Sequence, residues 1–207
     1  MRRIAALLLA LFLVATFPMM LASCGARPTL DELAPRLDEI FRDAALLNEI
    51  YLGDGIPTDE REGFGEYLFA DSDFCEEHGL SSVADLVALT ERTYTKGAAD
   101  VLYRKALVTS LEGLGEYRDR TPGPGLLVLA EREAWYTRTS FSYLTDTLTL
   151  TEAGRRYAEV SLEVVITPEG KPSVTRTLTL PLVLGEDGVW RADSLTYLKY
   201  DIETLCK

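Results

Sequence analysis

The chain has 207 residues, with 33 Asp and Glu against 21 Lys and Arg, for a formal net charge of −12. It contains no basic run, which argues against nucleic-acid binding, because phosphate contacts need clustered Lys and Arg. His78 is the only histidine, so any Ser-His-Asp or Cys-His centre has to use it, and most zinc sites are disfavoured as well.

The N-terminus reads Met1-Arg2-Arg3, then runs apolar from Ile4 to Ala22. Charged start and apolar run together form a secretory signal. It ends in Leu21-Ala22-Ser23-Cys24-Gly25. This segment resembles the bacterial lipobox, in which small residues let a peptidase approach the backbone and the cysteine sulfur forms a diacylglyceryl thioether. The resemblance implies a lipoprotein signal peptide over 1–23 and lipidation at Cys24. The competing reading is an uncleaved membrane helix, since a span needs roughly 20 apolar residues; Pro18 interrupts that run. Both readings leave the remaining chain on the extracytoplasmic side of the cell membrane. Residues 24–28 form a short tether, reaching at most about 17 Å, and 29–207 read as a single α+β domain.

Thr29-Leu30-Asp31-Glu32 matches a capping box. Leu33, Leu37, Ile40, Phe41, Ala44, Leu47 and Tyr51 follow at helical spacing. Pro35 would fall past the first turn of a helix starting at Thr29, so the start is Thr29 with a bend or lies nearer Leu33. Gly53-Asp54-Gly55 and Pro57 end this helix.

Residues 54–80 read as a long irregular loop, acidic and interleaved with aromatics. Loops of that length in a compact domain are functional or disordered, and the aromatics suggest packing. Phe64, Tyr67, Phe69, Asp71, Asp73, Phe74, Glu76 and Glu77 form the candidate partner-binding loop. Ser82 to Asp85 starts a second helix, and Thr95 caps a third running to about Val108.

After Pro122-Gly123-Pro124-Gly125 the period falls to about 2. Strands are expected over Leu126 to Ala130, Glu133 to Phe141, Thr145 to Thr151, Ala158 to Ile166 and Val174 to Leu184, with Val189 to Tyr200 returning. Turns at Pro168 to Pro172 and Gly185 to Gly188 make neighbouring strands antiparallel. The expected fold is α+β, with N-terminal helices packed on one face of a curved antiparallel sheet of about four to six strands.

Two stretches carry a resemblance. Leu86 to Leu107 contains Thr93-Tyr94-Thr95-Lys96 and Ala98-Ala99-Asp100, and the last hairpin closes on Gly188-Val189-Trp190-Arg191-Ala192-Asp193-Ser194. Their order resembles small extracytoplasmic domains of Gram-positive bacteria in the NTF2-like (cystatin-like) style, and within it the secreted inhibitors of cell-wall D,L-endopeptidases. The resemblance implies a non-enzymatic protein that binds a partner, possible targets including a cell-wall hydrolase. The alternative is a small-ligand or catalytic pocket of NTF2-like type, lined by Trp135, Tyr136, Tyr157 and Trp190.

Other chemistry finds little support. Cys75 and Cys206 are an even pair in a disulfide-permissive compartment, either a candidate disulfide or two isolated thiols. Asp71-Ser72-Asp73 opens like a calcium loop, but Cys75 and Glu76 stand where that loop needs Asp or Asn and then Gly. Dinucleotide, P-loop and Gly-x-Ser-x-Gly motifs do not occur. No catalytic residue, metal site or cofactor is expected.

Overall fold

The computed structural model describes residues 27–107, 115–120, 123–132, 134, 136 and 138–196, with 60–62 described by backbone alone. Helix α1 spans Leu30–Leu52. The hairpin β1 (Thr58–Phe64) and β2 (Tyr67–Ala70) follows, then α2 (Ser72–His78), α3 (Val83–Thr93) and α4 (Lys96–Ala106). The strands after them are β3 (Tyr117–Asp119), β4 (Leu126–Leu129), β5 (Thr139–Ala153), β6 (Tyr157–Pro168), β7 (Val174–Leu184) and β8 (Trp190–Ala192).

The capping box of α1 is closed in both directions. Glu32 N–H donates to Thr29 Oγ1 at 3.3 Å, and Thr29 N–H donates to Glu32 Oε2 at 2.8 Å. These contacts fix the start at Leu30, and the helix runs on through Pro35, which gives up one backbone hydrogen bond. All seven apolar positions read from the spacing are buried. Replacing Thr29 by Ala is expected to cost about 1 kcal/mol, read as a lower denaturant midpoint with unchanged slope.

The class is α+β, with two antiparallel sheets. The larger has the order β5-β6-β7-β8. Ala158, Val160, Leu162, Val164 and Ile166 of β6 are buried, and Leu178, Leu180 and Leu182 of β7 pair across from the first three on the same face. α1 packs on that face, where Phe41 stacks on Tyr143 at 5.1 Å between ring centroids. Asn48 is fully buried there, its Nδ2 donating to Thr196 Oγ1 at 3.0 Å and Tyr143 Oη at 3.3 Å.

The smaller sheet has the order β1-β2-β4-β3 and changes the reading of residues 54–80. That segment is a hairpin followed by a short helix. Its strands were illegible because their partner lies far along the chain: Tyr67, Leu68 and Phe69 pair with Leu129, Val128 and Leu127. Gly65, at φ +65°, lets the hairpin turn immediately after Phe64. Asp71 caps α2 by accepting from Phe74 N–H at 2.8 Å, and Gly79 ends it in the left-handed region.

Three further expectations are corrected. No strand occupies the described part of 133–138; β5 begins at Thr139 and runs to Ala153 as one strand whose register on β6 shifts between Leu144 and Thr149, so Thr145 to Thr151 is not a separate strand. Ahead of it, Tyr136 N–H donates to Leu52 O and Arg138 N–H to Asp54 Oδ2, so this segment satisfies its backbone on the end of α1. Of Val189 to Tyr200, only Trp190–Ala192 is strand among the described residues, and 197–200 lie outside them.

Candidate binding groove

Where β2 runs into α2, the end of the smaller sheet opens into a cavity of about 640 Å³. One wall is α2, contributing Ser72, Cys75 and Glu76. The others are Asp59 of β1, Phe69 and Ala70 of β2, Leu80 and Ser81 beyond α2, and Arg120, Pro124, Gly125 and Leu126 around the β3–β4 turn. Cavities of a few hundred cubic ångströms with an apolar lining and few polar groups are the common form of binding site.

Register explains the aromatic wall. Phe69 and Arg118 both lie opposite Leu127 from its two sides, so Tyr67, Phe69, Leu127 and Arg118 share one sheet face. Two arginines reach back across Leu127: the Arg118 guanidinium lies 4.2 Å from the Tyr67 ring centroid, and that of Arg120 lies 4.7 Å from the Phe69 centroid. Leu127 is thereby buried although it faces away from the main core. On the opposite side, Asp119 Oδ1 accepts from Val83 N–H at 2.7 Å, which ties the sheet to the start of α3.

Of the candidate loop residues, Phe69, Asp71 and Glu76 line this groove. Asp73 and Glu77 are exposed on α2. Tyr67 is buried, its hydroxyl donating to Gly115 O at 2.6 Å. Phe74 packs against the core and meets the His78 ring at 4.5 Å. Phe64 stands 66% exposed at the hairpin tip. Arg120, Leu80 and the Pro124-Gly125 turn were not anticipated; the one available signal was the two-residue spacing of Arg118 and Arg120, matching that of Tyr67 and Phe69.

Cys75 is a free thiol on the groove wall. Burial, and then the nearby Asp71 charge, push its pKa up, which keeps it protonated and a poor nucleophile. Among the described residues no hydrogen bond joins Cys75 to His78. Cys24 and Cys206 lie outside the described residues.

The residues of the alternative pocket are spread apart. Tyr136 is buried in the core, edge-on to Phe141 at 5.3 Å. Tyr157 sits on the other face of the large sheet, beside Glu159. Trp190 is half-buried against the core, with its carbonyl accepting from Arg36 Nε at 2.9 Å. Trp135 lies outside the described residues.

The two stretches that carry the resemblance meet each other. Tyr94 forms a parallel bridge with Ala192, Thr95 N–H donates to Ala192 O at 2.9 Å, and Thr95 Oγ1 donates to Asp193 Oδ1 at 2.6 Å. Arg191 Nε donates to Glu91 O at 2.6 Å. This seam bounds a second cavity of about 400 Å³ between Tyr94, Thr95, Lys96, Val183 and Arg191. Its cations are engaged, Lys96 with Asp100 at 2.9 Å and Arg191 with Asp187 at 2.7 Å.

No protein-family model, curated protein or solved structure matches the chain.

Proposed function

We propose that this chain is a non-enzymatic extracytoplasmic lipoprotein that holds a protein partner in the groove beside α2. The observation that carries this reading is the groove itself, an aromatic and aliphatic cleft with carboxylates at its rim, formed by the acidic segment after α1. Its position also supports it. The smaller sheet is tied to the C-terminal end of α1, where Tyr117 Oη donates to Ile50 O. Leu30, next to the tether, lies about 30 Å away from Ile50 along the helix axis. A lipid on Cys24 would therefore allow the groove to stand as far as that from the membrane.

The resemblance to D,L-endopeptidase inhibitors suggests that the partner is a cell-wall hydrolase, blocked by occlusion. The test is to titrate the full chain, in detergent micelles, into purified D,L-endopeptidases. Micromolar binding with loss of hydrolysis is expected, weakened about tenfold or more by Phe69→Ser. A folded sample that does not bind at micromolar concentration sinks the inhibitor version. The NTF2-like pocket reading has less in its favour, because Phe41, Asn48 and Tyr143 fill the space between α1 and the large sheet.

A further inference from the structure

Resting on that reading of the groove, we propose that its occupant is an extended basic segment of the partner, placing an apolar side chain on the groove floor and a Lys or Arg cation between the carboxylates of the rim. The floor is apolar, with Phe69, Leu80 and Leu126. The rim brings Asp59 from β1 and Glu76 from α2 to the same opening. The Glu76 carboxylate makes no ion pair or hydrogen bond among the described residues. Asp71 adds charge while its Oδ1 caps α2.

Among the described residues Arg120 is the one cation in the lining, and it lies over the Phe69 ring. The lining is thus net negative, on a chain whose formal charge is −12. An anionic ligand would be desolvated beside three carboxylates, an arrangement that suppresses binding, whereas a cation meets a complementary field. The apolar floor separates this site from a bare acidic patch: charge alone would favour any cation, but Phe69, Leu80 and Leu126 reward one that carries hydrocarbon beside it. The cavity, about 640 Å³, has room for a few side chains of an extended peptide.

The test uses the isotope-labelled full chain in micelles and three blocked pentapeptides: alternating Lys and Leu, alternating Glu and Leu, and alternating Lys and Ser. The Lys-Leu peptide is expected to shift the amide resonances of Asp59, Ala70, Cys75, Gly79 and Gly125, with binding weakened by added salt. The Lys-Ser peptide should bind about tenfold more weakly, and Glu76→Lys should weaken the Lys-Leu peptide by a similar factor. If the Glu-Leu peptide shifts the same amides equally well, the groove stands as a binding site and the cationic occupant is wrong. If the Lys-Leu shifts fall instead around Glu159 and Glu163 on the large sheet, the cationic occupant of the groove is wrong as well. If no peptide moves the groove resonances of a folded sample, the groove reading falls together with its occupant.

Discussion

Arg132→Met is expected to cost about 3–5 kcal/mol of stability, the largest loss from any single substitution argued for this chain. The last turn of α1 contains no basic residue, and its end is capped from a distance. Arg132 Nη1 donates to Gly53 O at 2.6 Å, and Nη2 donates to Ile50 O at 3.0 Å. The same Nη2 reaches Glu116 Oε2 at 3.2 Å, and Lys105 Nζ binds Glu116 Oε1 at 2.8 Å. The Arg132 side chain is 8% exposed, and those of Glu116 and Lys105 are 11%. Met would keep the bulk but remove the Arg132 donor from Gly53 O, leave Ile50 O with Tyr117 Oη, and leave Glu116 with one partner of two.

The site is shaped for a guanidinium. Gly55 adopts φ +90°, which strains any side chain, and a Cβ there would lie 2.6 Å from Arg132 Nη1 and push the guanidinium off its partners. Arg132→Lys is expected to recover little, because one ammonium cannot span two carbonyls and a carboxylate in a fixed plane. Glu116→Gln in the Arg132→Met background should restore part of the loss, by removing the stranded charge. Denaturant midpoints at unchanged slope measure all three. A loss below about 1 kcal/mol for Arg132→Met, the range of an exposed pair, would show that the cluster is solvated in practice.

That cluster marks the limit of what could be read from the sequence. α1, β6 and β7 were legible because each is long and has one buried face, so Leu33 to Tyr51 repeat at helical spacing and Ala158 to Ile166 alternate. β1, β2 and β3 were not. Four residues such as Tyr67 to Ala70 hold too few alternations to stand out, and their stability comes from β4, which no local pattern reveals. Arg132 sits in a polar stretch with nothing to distinguish it from a surface arginine until α1 ends beside it.

The candidate site was legible in part, for a similar reason. The acidic and aromatic composition of 54–80 pointed to the segment, and Phe69, Asp71 and Glu76 line the groove. The opposite wall, Arg120 with Pro124 to Leu126, looked like the linker between helices and strands. Tyr136, Tyr157 and Trp190 were grouped by residue type alone, and alternation along β6 sends Tyr157 to the face opposite the core. The Thr93 to Lys96 and Gly188 to Ser194 stretches hold α3 and α4 against the last hairpin through Ala192 and Asp193. Their residues are accounted for by that seam.

Cys24→Ser is expected to abolish lipid attachment entirely. A thioether needs the nucleophilic sulfur, and the serine hydroxyl does not replace it. Each buried methylene of an acyl chain contributes about 0.8 kcal/mol, one chain binds a membrane only marginally, and two hold it stably. Among the described residues, no helix is long and apolar enough to cross a membrane. Cells fed a taggable palmitate analogue should label the wild type, whose mature chain should begin at Cys24. The Cys24→Ser variant should take no label and keep residues 1–23. A wild type that is unlabelled and uncut would establish the uncleaved helix. The distance along α1 from Leu30 to the groove would be the same in either case. The anchor and the groove are thus separable, and α1 is what turns one into a constraint on the other.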